Sequence, residues 1–130
     1  MAAFMRPLET QTYALLRIVT GFLFLWHGAS KLLGFPTPPP PGPPASVLWV
    51  GGSIELFGGA LVLIGLFTRW AAFLASGMMA FAYWMAHGTR ALLPIQNQGE
   101  LAVIYCFVFL FISARGPGIW SLDASRAADG

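Results

Sequence analysis

Apolar residues run through this chain in four long stretches, separated by short segments rich in turn-forming residues. The stretches cover residues 13–33, 47–67, 70–87 and 99–114. An α-helix needs about 20 mostly apolar residues to cross a bilayer, so each stretch predicts a spanning helix. The last two are short and predict little tilt, or ends that continue among the headgroups. The first two are joined by Pro36-Thr37-Pro38-Pro39-Pro40-Pro41-Gly42-Pro43-Pro44. Proline lacks the amide donor and clashes with the preceding turn, so this run predicts an extended connector at the membrane surface. Thr68-Arg69 is so short a link that the second and third helices must be antiparallel neighbours. Residues 88–98 link the third to the fourth. In the tail, Trp120 reads as an interfacial anchor and residues 124–130 as frayed. The pattern predicts one all-α domain over residues 1–130, a four-helix transmembrane bundle.

Composition agrees with an apolar surrounding. The 130 residues are 57% hydrophobic and 9% charged, with a mean hydropathy of +0.70. Soluble domains carry about 25% charged residues, so this surface is too poor in charge to face water throughout. The lipid bilayer is the expected partner. A cleaved signal peptide is disfavoured for the first stretch, because Lys31 follows it without a clear cleavage site. The net charge of +2, with no basic run, argues against nucleic acid as a partner. Cys106 is the single cysteine, which excludes an internal disulfide and iron–sulfur spacings. Between Tyr105 and Phe107 it reads as an inert buried thiol.

Basic residues set the orientation. Four helices put Arg6, Arg69, Arg115 and Arg126 on the side of both termini, and Lys31 and Arg90 on the other. The excess predicts both termini inside and the proline loop outside.

Ionisable groups inside the apolar stretches are the candidate chemistry, since hydrocarbon penalises unpaired charge by roughly several kcal/mol. His27 and Lys31 lie four apart near the end of the first helix and share a face. Glu55 lies in the second helix, His87 ends the third with Tyr83 one turn before it, and Glu100 opens the fourth. Alternating helices bring His27, Lys31, Glu55, Tyr83, His87 and Glu100 to one half of the bilayer, with Tyr105 a lesser member. Gly51, Gly52, Gly58 and Gly59 lie three and four residues either side of Glu55. They form a packing groove that turns Glu55 inward. Arg17 sits at the opposite half and reads as a structural residue snorkelling to the inner surface, unless Asp123 docks on it.

Two readings of the cluster stand side by side. Ion pairs of Lys31 with Glu100 and His27 with Glu55 would fix the packing. Alternatively, the cluster heads a cavity for a quinone ring, whose carbonyl oxygens accept hydrogen bonds while a carboxylate takes the quinol proton. A small-solute permease is a third class. No metal is expected, because no helix carries the Glu-x-x-His pair of di-metal bundles. No covalent cofactor is expected either, since no haem-attachment sequence is present.

The residues also resemble a known family. Leu16-Arg17-Ile18 with Gly21, His27-Gly28 and Lys31-Leu32 resemble the opening of DoxX-family membrane proteins. The resemblance continues through Gly52-x-x-Glu55-x-x-Gly58-Gly59, Gly65-Leu66-x-Thr68-Arg69 and Ala71-Ala72. It ends with Asn97-x-Gly99-Glu100-Leu101, Tyr105 and Gly116-Pro117-Gly118-x-Trp120-Ser121-Leu122-Asp123. The resemblance implies a four-helix bacterial inner-membrane protein. It also implies a role as a subunit of a respiratory or thiol/sulfur redox complex, because relatives include a membrane subunit of thiosulfate:quinone oxidoreductase. The chain carries no evident electron carrier, so any oxidoreductase activity would need partner subunits.

Overall fold

The computed structural model describes residues 3–129, and every regular element in them is helical. A 3₁₀ turn (Ala3–Leu8) leads into α1 (Glu9–Leu33). The second helix, α2, runs over Ala45–Ile64, with one π-helical turn at Ile54–Gly58. Then come α3 (Thr68–Ala86), the short α4 (Pro94–Asn97), α5 (Glu100–Arg115) and α6 (Leu122–Asp129). The four long helices coincide with the four apolar stretches, though α1 begins four residues earlier and α2 ends at Ile64. Residues 124–129, read as frayed, are helical, and Gly130 lies outside the described residues.

α1 packs along α2, and α3 along α5. The α1–α2 seam is antiparallel and very close, because glycines face backbone across it. A Cβ on Gly21 would lie 2.7 Å from the Gly59 carbonyl oxygen, and one on Gly28 would lie 2.6 Å from that of Gly52. Such seams are how helices gain packing contacts where no water drives them together. On the other pair, Ser76 Oγ donates to the Cys106 carbonyl at 2.7 Å. Phe24, Val62, Ala72, Ala75, Phe109 and Ile112 fill the middle, each essentially inaccessible.

The glycine stripe does not act as one face. Gly52 and Gly59 meet α1, Gly51 meets the Met78 side chain, and a Cβ on Gly58 would meet nothing. Helical winding accounts for the split: at about 100° per residue Gly52 and Gly59 lie within about 20° of each other, while Gly51 and Gly58 are turned about 100° from them.

The outer surface is apolar. Phe22, Trp26, Trp70, Phe73, Phe81, Trp84 and Phe107 are all exposed. Yet by length and composition only one described helix, α2 with 20 residues, is long and apolar enough to cross a membrane. α5 has 16 residues, about 24 Å at 1.5 Å per residue.

Candidate functional site

Helix alternation brings the end of α1, the start of α2, the end of α3 and the start of α5 to one end of the bundle, here the loop end. The six sequence-predicted residues all lie there, but they do not form one cluster.

Lys31 and Glu55 meet directly. Lys31 Nζ donates to Glu55 Oε1 at 2.6 Å. Glu55 is 2% exposed, and the Lys31 side chain 25%. The pair therefore joins a buried carboxylate to an ammonium that still reaches the surface. Glu55 Oε2 is buried and has no hydrogen-bond partner. A carboxylate accepts at both oxygens, so half of this group's capacity is open. Glu55 belongs to the π turn, a local feature that recurs at functional sites. His27, one turn before Lys31, sets its ring edge-on to Tyr105 at 5.9 Å. Tyr105 is buried against Phe24 and Phe109.

Tyr83 and His87 form a separate network around Asn97. Asn97 Nδ2 donates to Tyr83 Oη at 3.0 Å and to the Ala91 carbonyl at 3.1 Å. The Gly99 N–H donates to Asn97 Oδ1 at 2.8 Å. His87 Nδ1 lies 3.0 Å from the Asn97 carbonyl oxygen. A carbonyl only accepts, so Nδ1 carries the proton. This network ties the α3–α5 loop to the helix ends. The pairs expected from the sequence are overturned: Lys31 pairs with Glu55 rather than Glu100, and His27 does not pair with Glu55. Glu100, on the first turn of α5, is exposed and joins neither group. Helix ends fixed its height but not its facing.

The opposite, tail end is a lock. Arg17 does not snorkel; it is 0% exposed. Its guanidinium donates to the carbonyls of Pro117, Ile119 (3.3 Å) and Trp120 (2.7 Å). Tyr13 Oη donates to the Gly116 carbonyl at 2.6 Å. Asp123, the alternative partner for Arg17, instead accepts from the N–H groups of Phe67 (3.0 Å) and Thr68 (2.9 Å) and from Thr68 Oγ1 (2.8 Å). Burial opposes its ionisation, but the bonds from Thr68 and Phe67 outweigh it and hold the carboxyl below the usual carboxylate range. Gly65, at φ +71°, lets the tail approach, since a Cβ there would strike Ser121 and Arg17. Gly116-Pro117-Gly118 is thus a docking loop for α1.

Asn97 and the π turn were not legible as functional features. Asn97-x-Gly99 before a helix is turn chemistry of a recognisable kind, an amide oxygen bonding two residues on. The π turn has no sequence signal that we can identify. Among the described residues, no three His, Cys, Asp or Glu side chains gather as a metal site.

An apolar exterior, a glycine-packed seam and a buried ion pair define a small membrane-associated helical protein. The chain matches the DoxX family over residues 12–88 and belongs to it. It is also similar to an uncharacterized protein of Haemophilus influenzae (strain ATCC 51907 / DSM 11121 / KW20 / Rd). The two are 42% identical over 116 residues, covering 85% of this chain and 87% of that relative. No solved structure matches.

Proposed function

We propose that this chain is an integral subunit of a membrane redox complex in the cell inner membrane, crossing it four times with both termini inside. Within it, the Lys31–Glu55 pair, flanked by His27 and Tyr105, engages a quinone head group. The membrane reading rests on the family and on the inverted surface. Large aromatics face outward while Arg17, Thr68 and Glu55 are buried, an order that suits hydrocarbon and not water. α1 and α3 would cross as members of the bundle rather than alone, their polar groups turned inward.

One observation carries the site: Glu55 Oε2, a buried acceptor with nothing to accept from. A buried polar atom is normally bonded, and each exception calls for a reason. A ligand O–H is a fitting partner. A quinone supplies carbonyl acceptors when oxidised and hydroxyl donors when reduced. Lys31 Nζ and His27 suit the first state, and Glu55 suits the second, accepting a hydrogen bond from the hydroxyl. Electrons would come from a partner subunit. The ligand would approach along Lys31, the part of the pair that reaches the surface.

A second reading has its own support. Lys31 and Glu55 satisfy each other at 2.6 Å, so they also suit a subunit whose buried pair only fixes helix packing. Purified protein separates the two: solvent extraction should release quinone, and His27→Ala should lower the amount recovered. Wild-type protein that carries none and binds none in a titration would leave the packing reading. The topology is tested with cysteines at Ala3 and Thr37, which should react with an impermeant reagent from opposite sides. Labelling at position 3 from outside intact cells would reverse it.

A further inference from the structure

A groove of about 490 Å³ lies at the tail end, between the start of α1 and the end of α5. It is remote from Glu55 along the helices. Arg6, Glu9 and Arg115 lie at its rim, and Tyr13, Leu16 and Phe111 line its walls. The order along the helices is informative. α1 runs away from the tail end, so Leu16 lies deeper than Glu9. α5 runs toward it, so Phe111 lies deeper than Arg115, by four residues or about 6 Å. Charge sits at the mouth and hydrocarbon beneath it.

We infer that this groove binds an anionic phospholipid, its phosphate between Arg6 and Arg115 and its acyl chain against Leu16 and Phe111. The inference rests on the membrane-spanning reading above, which places the groove at the headgroup level. The rim holds two guanidiniums against one carboxylate. Arg115 is braced over the Tyr13 ring, 4.7 Å from its centroid. Arg6 has no carboxylate partner among the described residues. Glu9 is 3.3 Å from Arg115, but its side chain is 66% exposed. Such a pair is weak, so a phosphate can displace it while Glu9 turns to water. Inorganic phosphate would have no use for the apolar walls. A choline headgroup would bring a cation to an already cationic rim.

The experiment places purified protein in nanodiscs of phosphatidylcholine with increasing phosphatidylglycerol. Retained lipid is read by native mass spectrometry and thermal unfolding in parallel. Wild type should retain phosphatidylglycerol in preference and unfold at higher temperature as its fraction rises. Arg6→Gln should weaken the preference roughly fivefold, the worth of one interfacial arginine, with unchanged unfolding in pure phosphatidylcholine. Glu9→Gln should strengthen it, a sign that a merely structural role for Glu9 does not give. No preference in wild type, or the same preference in both variants, overturns the inference. So does equal stabilisation by inorganic phosphate in pure phosphatidylcholine. A protein that enters nanodiscs but shows no preference sinks only this inference. One that cannot enter them sinks the membrane-spanning reading as well.

Discussion

At the tail end Arg17 is fully buried and donates to three carbonyls of residues 117–120. At the loop end Glu55 is almost as deeply buried but uses one oxygen on Lys31 and leaves the other without a partner. The two residues face the same penalty for burying charge. The tail end meets it with three main-chain acceptors on Arg17, backed by Tyr13, Asp123 and the Gly65 turn, though Arg17 Nε is itself buried without a partner. The Lys31–Glu55 corner leaves an acceptor open, on a turn wound differently from the rest of α2. Each end leaves one buried polar atom open, but Arg17 keeps three acceptors while Glu55 keeps a single donor, so the carboxylate is the less satisfied of the two.

The largest expected effect tests the more fully bonded end. Arg17→Ala orphans the carbonyls of Pro117 and Trp120 and should cost about 3 kcal/mol or more. Arg17→Lys should recover little of it, because an ammonium lacks the planar fork that spans several acceptors. Thermal unfolding in nanodiscs measures both, and an unchanged midpoint in Arg17→Ala would break the comparison.

Next come the glycines. Gly28→Ala drives a methyl into the α2 backbone and should cost about 1–3 kcal/mol. Gly58→Ala meets nothing and should be neutral or stabilising by up to about 1 kcal/mol, through helix propensity alone. Equal losses in the two would mean that the α1–α2 seam is not where the close packing lies.

The smallest effect concerns Asp123. Its folded carboxyl is held below the ordinary value. Its contribution is therefore fully present above the unfolded pKa of about 4 and is lost as pH falls through the lower folded value. For a partly exposed group this amounts to less than about 1 kcal/mol. Asp123→Asn should flatten that acid limb by lowering stability at neutral pH by up to this amount while changing little at low pH, where the contribution is already lost. An acid limb as steep as in wild type would remove Asp123 from the lock.

Much of this was legible in the sequence, for physical reasons. Unbroken apolar runs mark helices regardless of partners, so α1, α2, α3 and α5 follow from pattern alone. Helix alternation also fixes which polar residues share an end. Facing is another matter. Lys31 pairs with Glu55 because α1 lies on α2, and nothing in the spacing of His27, Lys31 and Glu100 reveals that pairing. Arg17 was misread as snorkelling because its acceptors are main-chain carbonyls a hundred residues away, and every residue type offers those. The π turn at Ile54–Gly58 leaves no trace in composition.

The central claim is that the Lys31–Glu55 pair serves a ligand and not only the packing. The double variant Lys31→Met, Glu55→Leu tests it most directly, because a well-packed apolar pair often replaces a buried ion pair at no loss of stability. Quinone titration and thermal unfolding should be run together on wild type and variant in nanodiscs. The account predicts a variant at least as stable as wild type that has lost quinone binding. Quinone binding equal to wild type in that variant, or no binding by wild type at all, would contradict it.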